Sequence, residues 1–345
     1  MKLLSDIDVS AKTVFLRADL DVPIRLTNDE RKTTNAEEAI RLQNLKPTIE
    51  YLIGHGVKKI IIAGHVDRPQ KPDPSCSTAN LVSPLEKILS RSVAFKKDFD
   101  NTTPADLALL SQLVLLENLR FWKGETANDP DFAKKLASLA DVYVNDAFGN
   151  CHRPHASMVG VSQLLPHAAG LQLQREVAEL STILSNAQHP FVAVVGGAKI
   201  ETKVPVITHL SKIADIVLVG GELPLAIKKT GAKFAENVIV ASLTPSDKDI
   251  SIVSTQDFVA KIRSAKVVVW NGPMGLFEEG FIKGTRAVAD AIIDARGYSV
   301  VGGGETTQFL AEHDLLLRFS FVSTGGGAML EFLAGRELPG IKALD

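Results

Sequence analysis

The sequence predicts an α/β protein of two Rossmann-like domains, each a parallel sheet with helices on both faces, joined by a hinge helix. Three observations predict it. The chain has 345 residues, too many for one ordinary core and suited to two domains of roughly 150–200 residues each. Short β-branched apolar runs alternate with longer amphipathic stretches along its length, the pattern of parallel strands that cross over through helices. The residues that follow those runs are polarised by half: cations and imidazoles in the first, glycines in the second.

Taken in chain order, the expected strands are residues 13–16, 59–63, 113–116, 142–144, 192–195, 216–219, 267–270 and 299–301. Their Val, Ile and Leu content is that of strands buried on both faces. Helical spacing marks 42–54, 83–89, 131–139, 173–184 and 285–294. Residues 68–80 (RPQKPDPSCSTAN) are rich in Pro and Ser and read as a surface loop. A long helical pattern ends at Gln188-His189-Pro190, just before a new apolar run, and marks the junction. The predicted division is a first domain over 1–167, an interdomain helix over 168–188 and a second domain over 189–330. Residues 331–345, with Gly335, Pro339 and Gly340, are expected to pack back on the first domain.

Composition narrows the partners. Hydrophobic residues make up 45% of the chain, enough for two cores, and charged residues 23%. The formal net charge of −2 gives no general attraction to nucleic acid or acidic membrane, so neither is expected as a partner. Any anion must be held by local groups. Cys76 and Cys151 are the only cysteines, and two thiols in a chain of this size read as free thiols in a reducing compartment. Asp6 interrupts the start before a secretory signal can build up, and no apolar run approaches the roughly 20 residues of a membrane span. A cytoplasmic location is expected.

In open α/β sheets, ligands bind outside the carboxyl ends of the strands. In the second half those ends read Gly196-Gly197-Ala198-Lys199, Gly220-Gly221, Asn271-Gly272-Pro273-Met274-Gly275, Gly302-Gly303-Gly304-Glu305-Thr306 and Ser323-Thr324-Gly325-Gly326-Gly327. Glycine lets backbone N–H groups approach a ligand closely, and a following helix N-terminus favours negative charge. One such turn is ordinary; five in one half-chain point to a nucleotide or polyphosphate. No G-x-x-x-x-G-K-[ST], no strand-linked G-x-G-x-x-G and no G-x-S-x-G occurs, which disfavours a P-loop enzyme, a dinucleotide enzyme and a hydrolase elbow.

The first half carries Arg17-Ala18-Asp19-Leu20-Asp21, His65-Val66-Asp67-Arg68-Pro69, Asn118-Leu119-Arg120-Phe121 and His152-Arg153-Pro154-His155 at its strand ends. Each Arg or His alone is commonly a salt-bridge partner or a structural residue. Four such ends converging on one crevice would hold a small, multiply charged anion, because the guanidinium fork matches carboxylate and phosphate. Lys199 and Lys203, four apart after Gly197, would share one helix face, either as a solvated stripe or as holders of a transferring phosphoryl group. No His/Cys cluster has zinc spacing. Glu305 either complements a helix N-terminus or helps hold Mg²⁺ on a nucleotide.

These stretches resemble the phosphoglycerate kinase family from about residue 13 to the C-terminus. The resemblance is carried by RADLDVP (17–23), GHVDRP (64–69), LLENLRF (115–121), YVNDAFGNCHRPHAS (143–157), VVGGAKIETK (194–203), WNGPMGLFE (270–278), GGGET (302–306) and STGGGAMLEFLAGRELPG (323–340). It implies a Mg²⁺-dependent, reversible phosphoryl transfer between 1,3-bisphosphoglycerate with ADP and 3-phosphoglycerate with ATP, by a monomer that closes on a hinge. It assigns the triose to Asp19, Asp21, Arg41, His65, Arg68, Arg120 and Arg153. The nucleotide goes to Gly196, Gly197, Lys203, Gly220, Asn271, Glu278 (at the ribose), Gly302, Gly303, Gly304, Glu305 and Thr306. Arg41, Lys199 and Lys203 would be the catalytic cations, and Glu305 the candidate Mg²⁺ ligand. The alternative is a catalytically impaired homologue kept as a binding protein.

The chain departs from the family pattern in places. Asp21 stands where the family usually has Asn, and Asp67 where it has Gly. Glu305 replaces the commoner Asp, and Glu222-Leu223-Pro224 replaces small residues. The stretch between Val240 and Val267 is short, with Asp249-Ile250-Ser251-Ile252 in place of a longer segment that lines the adenine pocket in the family. Retained phosphoryl transfer with relaxed base selectivity is the expectation.

Overall fold

The structure, a computed structural model, describes residues 1–22, 36–98 and 101–345, without the side chains of 36–39. Pro23, the last residue of the RADLDVP stretch, lies outside the described residues. Twelve strands form two sheets of six, and every pairing within them is parallel. The strands are β1 Thr13–Arg17, β2 Lys59–Ala63, β3 Val93–Lys96, β4 Leu113–Leu116, β5 Val142–Asn145, β6 His167–Ala169, β7 Phe191–Val195, β8 Ile216–Val219, β9 Val238–Val240, β10 Val267–Asn271, β11 Tyr298–Gly302 and β12 Phe321–Ser323. The first sheet has the order β3-β4-β2-β1-β5-β6 and the second β12-β11-β10-β7-β8-β9. The central strands β2, β4, β5, β7 and β10 are buried at every residue, so helices cover both faces of each sheet.

All eight expected strands form. The edge strands β3, β6 and β9 did not stand out in the sequence, because they are short and only partly buried. The helix expected over 42–54 is two helices, Ala36–Gln43 and Lys46–Gly54, and Pro47 at the start of the second explains the break. Residues 68–80 are not wholly a surface loop. Two 3₁₀ turns, Pro74–Cys76 and Thr78–Leu81, bury Cys76 and Thr78 because the buried Glu117 carboxylate accepts from Ser77 Oγ and the Thr78 amide. Both cysteines are buried and free.

The chain separates into two compact units, Met1–Glu176 with Glu337–Asp345, and Val177–Arg336. The helix Leu171–Asn186 runs through that boundary without a break. Within the first unit, the Gly340 amide donates to Cys151 O at 2.8 Å and the Lys2 amide to Leu344 O at 2.7 Å. Among the described residues no helix is long and apolar enough to cross a membrane.

The strand orders fix where ligands have room. In the first sheet β1 pairs with both β2 and β5, and in the second β7 pairs with both β8 and β10. Chain direction across the sheet reverses at β1/β5 and at β7/β10, and the crevices outside those carboxyl ends are the switch points of doubly wound sheets.

Candidate active site

In the first unit the loops after β1, β2, β4 and β5 bring Arg17, His65, Arg68, Arg120 and Arg153 into mutual electrostatic range. Burial and the neighbouring Arg153, Arg17 and Arg68 push Arg120 down to about 10. Arg153 is lowered by burial and then by Arg68. His152 falls to about 4 and His155 to about 3, each through burial first and neighbouring arginines second. Among these groups are few acids. Asp19 is 5% exposed and accepts from Arg41 Nη1 at 3.0 Å. Asp21 lies at the rim, half-buried. Such a cluster repels itself and is completed by a multiply charged anion.

The two departures at 21 and 67 meet here. Asp67 has φ +56°, the left-handed region that Asp and Asn tolerate best after glycine. Its amide donates to Asp21 Oδ1 at 2.8 Å, and its carbonyl accepts from Arg120 Nη1. Its own carboxylate accepts the Arg68 amide at 2.7 Å. Replacement of glycine therefore keeps the turn, and Arg68 remains exposed.

In the second unit the glycine turns close on one another. The Gly196 amide donates to Asn271 O at 2.9 Å and the Gly197 amide to Pro273 O at 3.0 Å. A methyl group on Gly221 (φ +64°) would stand 2.6 Å from the Gly197 amide nitrogen, and one on Gly272 (φ +101°) 2.2 Å from Gly196 O. Only glycine permits this packing of backbone on backbone. Met274 and Ile250 lie against the position a side chain would take at Gly220. Gly302 ends β11, Gly303 has φ +97°, and Gly304 opens the helix Gly304–Glu312, with Glu305 in its exposed first turn. Thr306 is fully buried and accepts the Gly272 amide at 2.8 Å, so it braces the turn from behind.

Lys203 is 6% exposed; its Nζ donates to Asn271 Oδ1 at 2.5 Å and to Asn271 O at 3.2 Å. Burial pushes its ammonium down to about 7, against the opposing pull of Glu305. Lys199 does not share a helix face with it. The helix opens at Ile200, and Lys199 is its exposed N-cap residue, with no partner for Nζ among the described residues. Glu278 is likewise exposed and without a side-chain partner among the described residues. Asp249, 5% exposed, accepts the Gly284 and Ile250 amides and pairs across to Gly275, so it fastens the shortened segment to the loop after β10.

Sequence reasoning missed the groups behind the first cluster. Glu125, Ser157 and Tyr143 are fully buried and hydrogen-bonded to one another or to Arg17. Asp146 Oδ1 accepts the Gln172 and Leu173 amides in the first turn of the helix Leu171–Asn186. The only signal was the presence of charge inside apolar surroundings, which spacing does not reveal. Among the described residues no group of three or more His, Cys, Asp or Glu is placed to hold a metal by itself.

The phosphoglycerate kinase family model matches residues 4–242 and 227–336. Phosphoglycerate kinase of Desulfosudis oleivorans is 36% identical over 402 aligned positions, covering 100% of this chain and 99% of that protein. Phosphoglycerate kinase of Rhodospirillum centenum is 37% identical over 399 positions, with 99% of each covered. Because this chain has 345 residues, more than fifty positions of each relative have no counterpart here. Among solved structures, phosphoglycerate kinase from Pyrococcus horikoshii OT3 superposes with a TM-score of 0.85 at 29% identity, covering 100% of this chain and 98% of that one. The enzyme from Coxiella burnetii gives 0.79 at 32% identity, covering 99% and 98%.

Proposed function

We propose, for a chain that belongs to the phosphoglycerate kinase family, that its arginine cluster holds 3-phosphoglycerate and its glycine cluster holds the nucleotide. The chain is a phosphotransferase with a carboxyl group as acceptor, moving a phosphoryl group between 1,3-bisphosphoglycerate with ADP and 3-phosphoglycerate with ATP. The observation that carries the division of labour is the convergence of Arg17, Arg68, Arg120 and Arg153, which outnumber the rim carboxylates Asp21 and Asp67. A phosphate and a carboxylate on one small molecule neutralise that excess.

An acyl phosphate is already activated, and the attacking oxygen of ADP is already anionic, so no protein nucleophile or general base is needed. The protein's part is positioning and neutralisation. Asp19, Asp21, His65, Arg68, Arg120 and Arg153 orient the triose. Gly196, Gly197 and Gly220, whose amides are used within the turns, let the phosphates approach the backbone closely beside Asn271, residues 302–306 present a helix N-terminus, and Glu278 lies at the ribose. Arg41, Lys199 and Lys203 offset charge on the phosphoryl group in transfer. Glu305 fits a Mg²⁺ role, since it is an exposed carboxylate next to the glycine turns. Mg²⁺ characteristically takes one or two carboxylates and completes its shell with phosphate and water; there it would neutralise the nucleotide phosphates. The two clusters belong to different units, and closure on a hinge is proposed to exclude water from the acyl phosphate.

Base selectivity is proposed to be relaxed. Leu225 and Val240 are exposed, and Ile252 and Val253 are each 69% exposed, at the carboxyl edge of β8 and β9. The nearby hydroxyls of Ser242, Ser251 and Ser254 bond to one another. Apolar surface with satisfied polar groups packs on any purine. Initial rates with ADP, GDP and IDP test this, and an ADP preference of about a hundredfold, worth roughly 3 kcal/mol, would refute it. The function itself is tested by coupled turnover of 3-phosphoglycerate and MgATP with purified protein; absence of turnover in both directions refutes it. A monomer in the cytoplasm is the accompanying expectation, tested by light scattering and cell fractionation.

A further inference from the structure

We infer that Arg17 is a positioning residue: braced from behind by Ser157 and Glu125, it fixes His65 in the tautomer whose Nε2–H faces Asp21 and the anion cluster. The argument begins with donors. A guanidinium has five N–H groups and no acceptor. Arg17 Nη2 lies 2.9 Å from His65 Nδ1, so Nδ1 is the accepting nitrogen and the ring proton is on Nε2. The other end of the ring agrees. His65 Nε2 lies 3.7 Å from Asp21 Oδ2, a carboxylate that only accepts. Nε2 is buried and has no hydrogen-bond partner among the described residues, so its proton remains available.

The guanidinium is itself held at all three nitrogens. Nε donates to Ser157 Oγ at 2.9 Å, and Nη1 donates to Ala18 O. Ser157 Oγ passes the polarity on, donating to Glu125 Oε1 at 2.6 Å, while the Ser157 amide donates to Glu125 Oε2 at 3.0 Å. Tyr143 Oη holds Ser157 O at 2.8 Å. Arg17, Ser157, Glu125, Tyr143 and His65 are all 0% exposed. Two opposite charges buried this deeply are a poor source of stability, because desolvation offsets their attraction. Their use is directional. Arg17 donates both ways, through Ser157 to Glu125 and directly to His65 Nδ1, and the His65 side ends on a free N–H.

The ring stays unprotonated at working pH. Burial comes first in holding His65 well below the usual histidine range, then Arg17, Arg120, Arg153 and His155, which face it from the neighbouring loops. Among the described residues Asp21 is the acid paired with it, and it lies at the half-buried rim. A bound carboxylate or phosphate would therefore meet a fixed, uncharged donor that does not switch with pH. This rests on the reading of the cluster as the triose site, but the tautomer can be measured without any substrate.

Long-range ¹H–¹⁵N correlation spectra of the whole protein test it, with the His65 signals assigned by their loss in His65→Gln. One tautomer protonated at Nε2 and unchanged from pH 6 to pH 8 is expected; the Nδ1–H form, a mixture or titration in that interval overturns the inference. Arg17→Met/Glu125→Gln, which removes both buried charges together, should convert the single tautomer into a mixture; retention of the single Nε2–H form would show that Arg17 does not set it. Steady-state assays with 3-phosphoglycerate give an independent readout. Glutamine places its amide nitrogen near Nε2 and asparagine near Nδ1, so His65→Gln should stay within a few-fold of the parent KM. His65→Asn should raise it by about 10- to 100-fold, the loss of one hydrogen bond to a charged group, with kcat little changed. Equal KM values for the two variants would overturn the assignment, whereas a parent protein with no turnover would overturn the proposed function and leave the tautomer standing.

Discussion

Raising the pH from 7 to 9 strips the proton from Lys203 in the empty glycine cluster, and a bound nucleotide has to restore it. Lys203 is buried against Asn271, and burial brings its ammonium down to about 7 from 10.5. That displacement amounts to on the order of 5 kcal/mol of disfavour for the charged form. Phosphate oxygens at the Gly196–Gly197 turn would reverse it. At pH 8 the empty site is mostly neutral, so ADP binding should take up about 0.9 proton per site, falling to about 0.5 at pH 7. The apparent Kd should rise about tenfold per pH unit above 7. Calorimetry at pH 8 in two buffers of different ionisation enthalpy reads the uptake directly, at a pH where ADP itself is fully ionised. Lys203→Met should abolish both the uptake and the slope. Stability follows the same linkage. Between about 7 and 10.5 the unfolded chain binds the proton and the folded chain does not, so the empty protein gains stability as pH rises through that window. Uptake below about 0.2 at pH 8, or equal uptake in Lys203→Met, would refute the reasoning.

Arg41→Ala and Lys199→Ala should lower kcat by about 10²–10³ while raising KM less than tenfold, if both cations act on the phosphoryl group in transfer; a KM-only effect would make them binding residues. Asp21→Asn keeps an acceptor for the Asp67 amide and removes a carboxylate from the anion site, so the KM for 3-phosphoglycerate should fall by about 3- to 10-fold; an unchanged or higher KM in steady-state assays contradicts the repulsion. Burial raises the Asp146 carboxyl to about 6, against hydrogen bonds from Thr48, Leu173 and Gln172. The folded form then holds a proton between pH 4 and 6 that the unfolded chain has lost, and above pH 6 the buried charge costs about 3 kcal/mol at most. Asp146→Asn, which keeps the Oδ1 acceptor for the helix amides, should raise Tm more at pH 8 than at pH 5 in thermal melts.

The central strands were legible because burial on both faces forces unbroken apolar runs such as KIIIA and FVAVV. The edge strands β3, β6 and β9 were not, because a partly exposed strand of three or four residues lacks both the run and the alternation. Glycines and arginines at strand ends were legible for a related reason: parallel sheets place every such end on one side. What the sequence hid was depth. Lys199 and Lys203 look equivalent at four-residue spacing, yet the helix opens only at Ile200, leaving Lys199 outside it in solvent and Lys203 inside. Glu125 and Ser157 lie 32 residues apart and meet only because the loop after β5 folds back over the helix Lys123–Thr126.

The two units handle charge in opposite ways. In the first, burial and then the neighbouring arginines hold Arg120 and Arg153 below their ordinary range. In the second, the backbone supplies neutral N–H groups at a helix N-terminus, and the buried Lys203 is about half-protonated at pH 7. The first arrangement suits a small, highly charged ligand and would discriminate by the geometry of its two anionic ends. The second would adapt to its ligand by completing the protonation of Lys203 when phosphate is present, which limits the buried charge of the empty cluster. Phosphoryl transfer moves negative charge from one arrangement to the other. On the proposed assignment, a permanently charged triose site and a protonatable nucleotide site would allow that movement without either unit holding a large uncompensated charge in the liganded states.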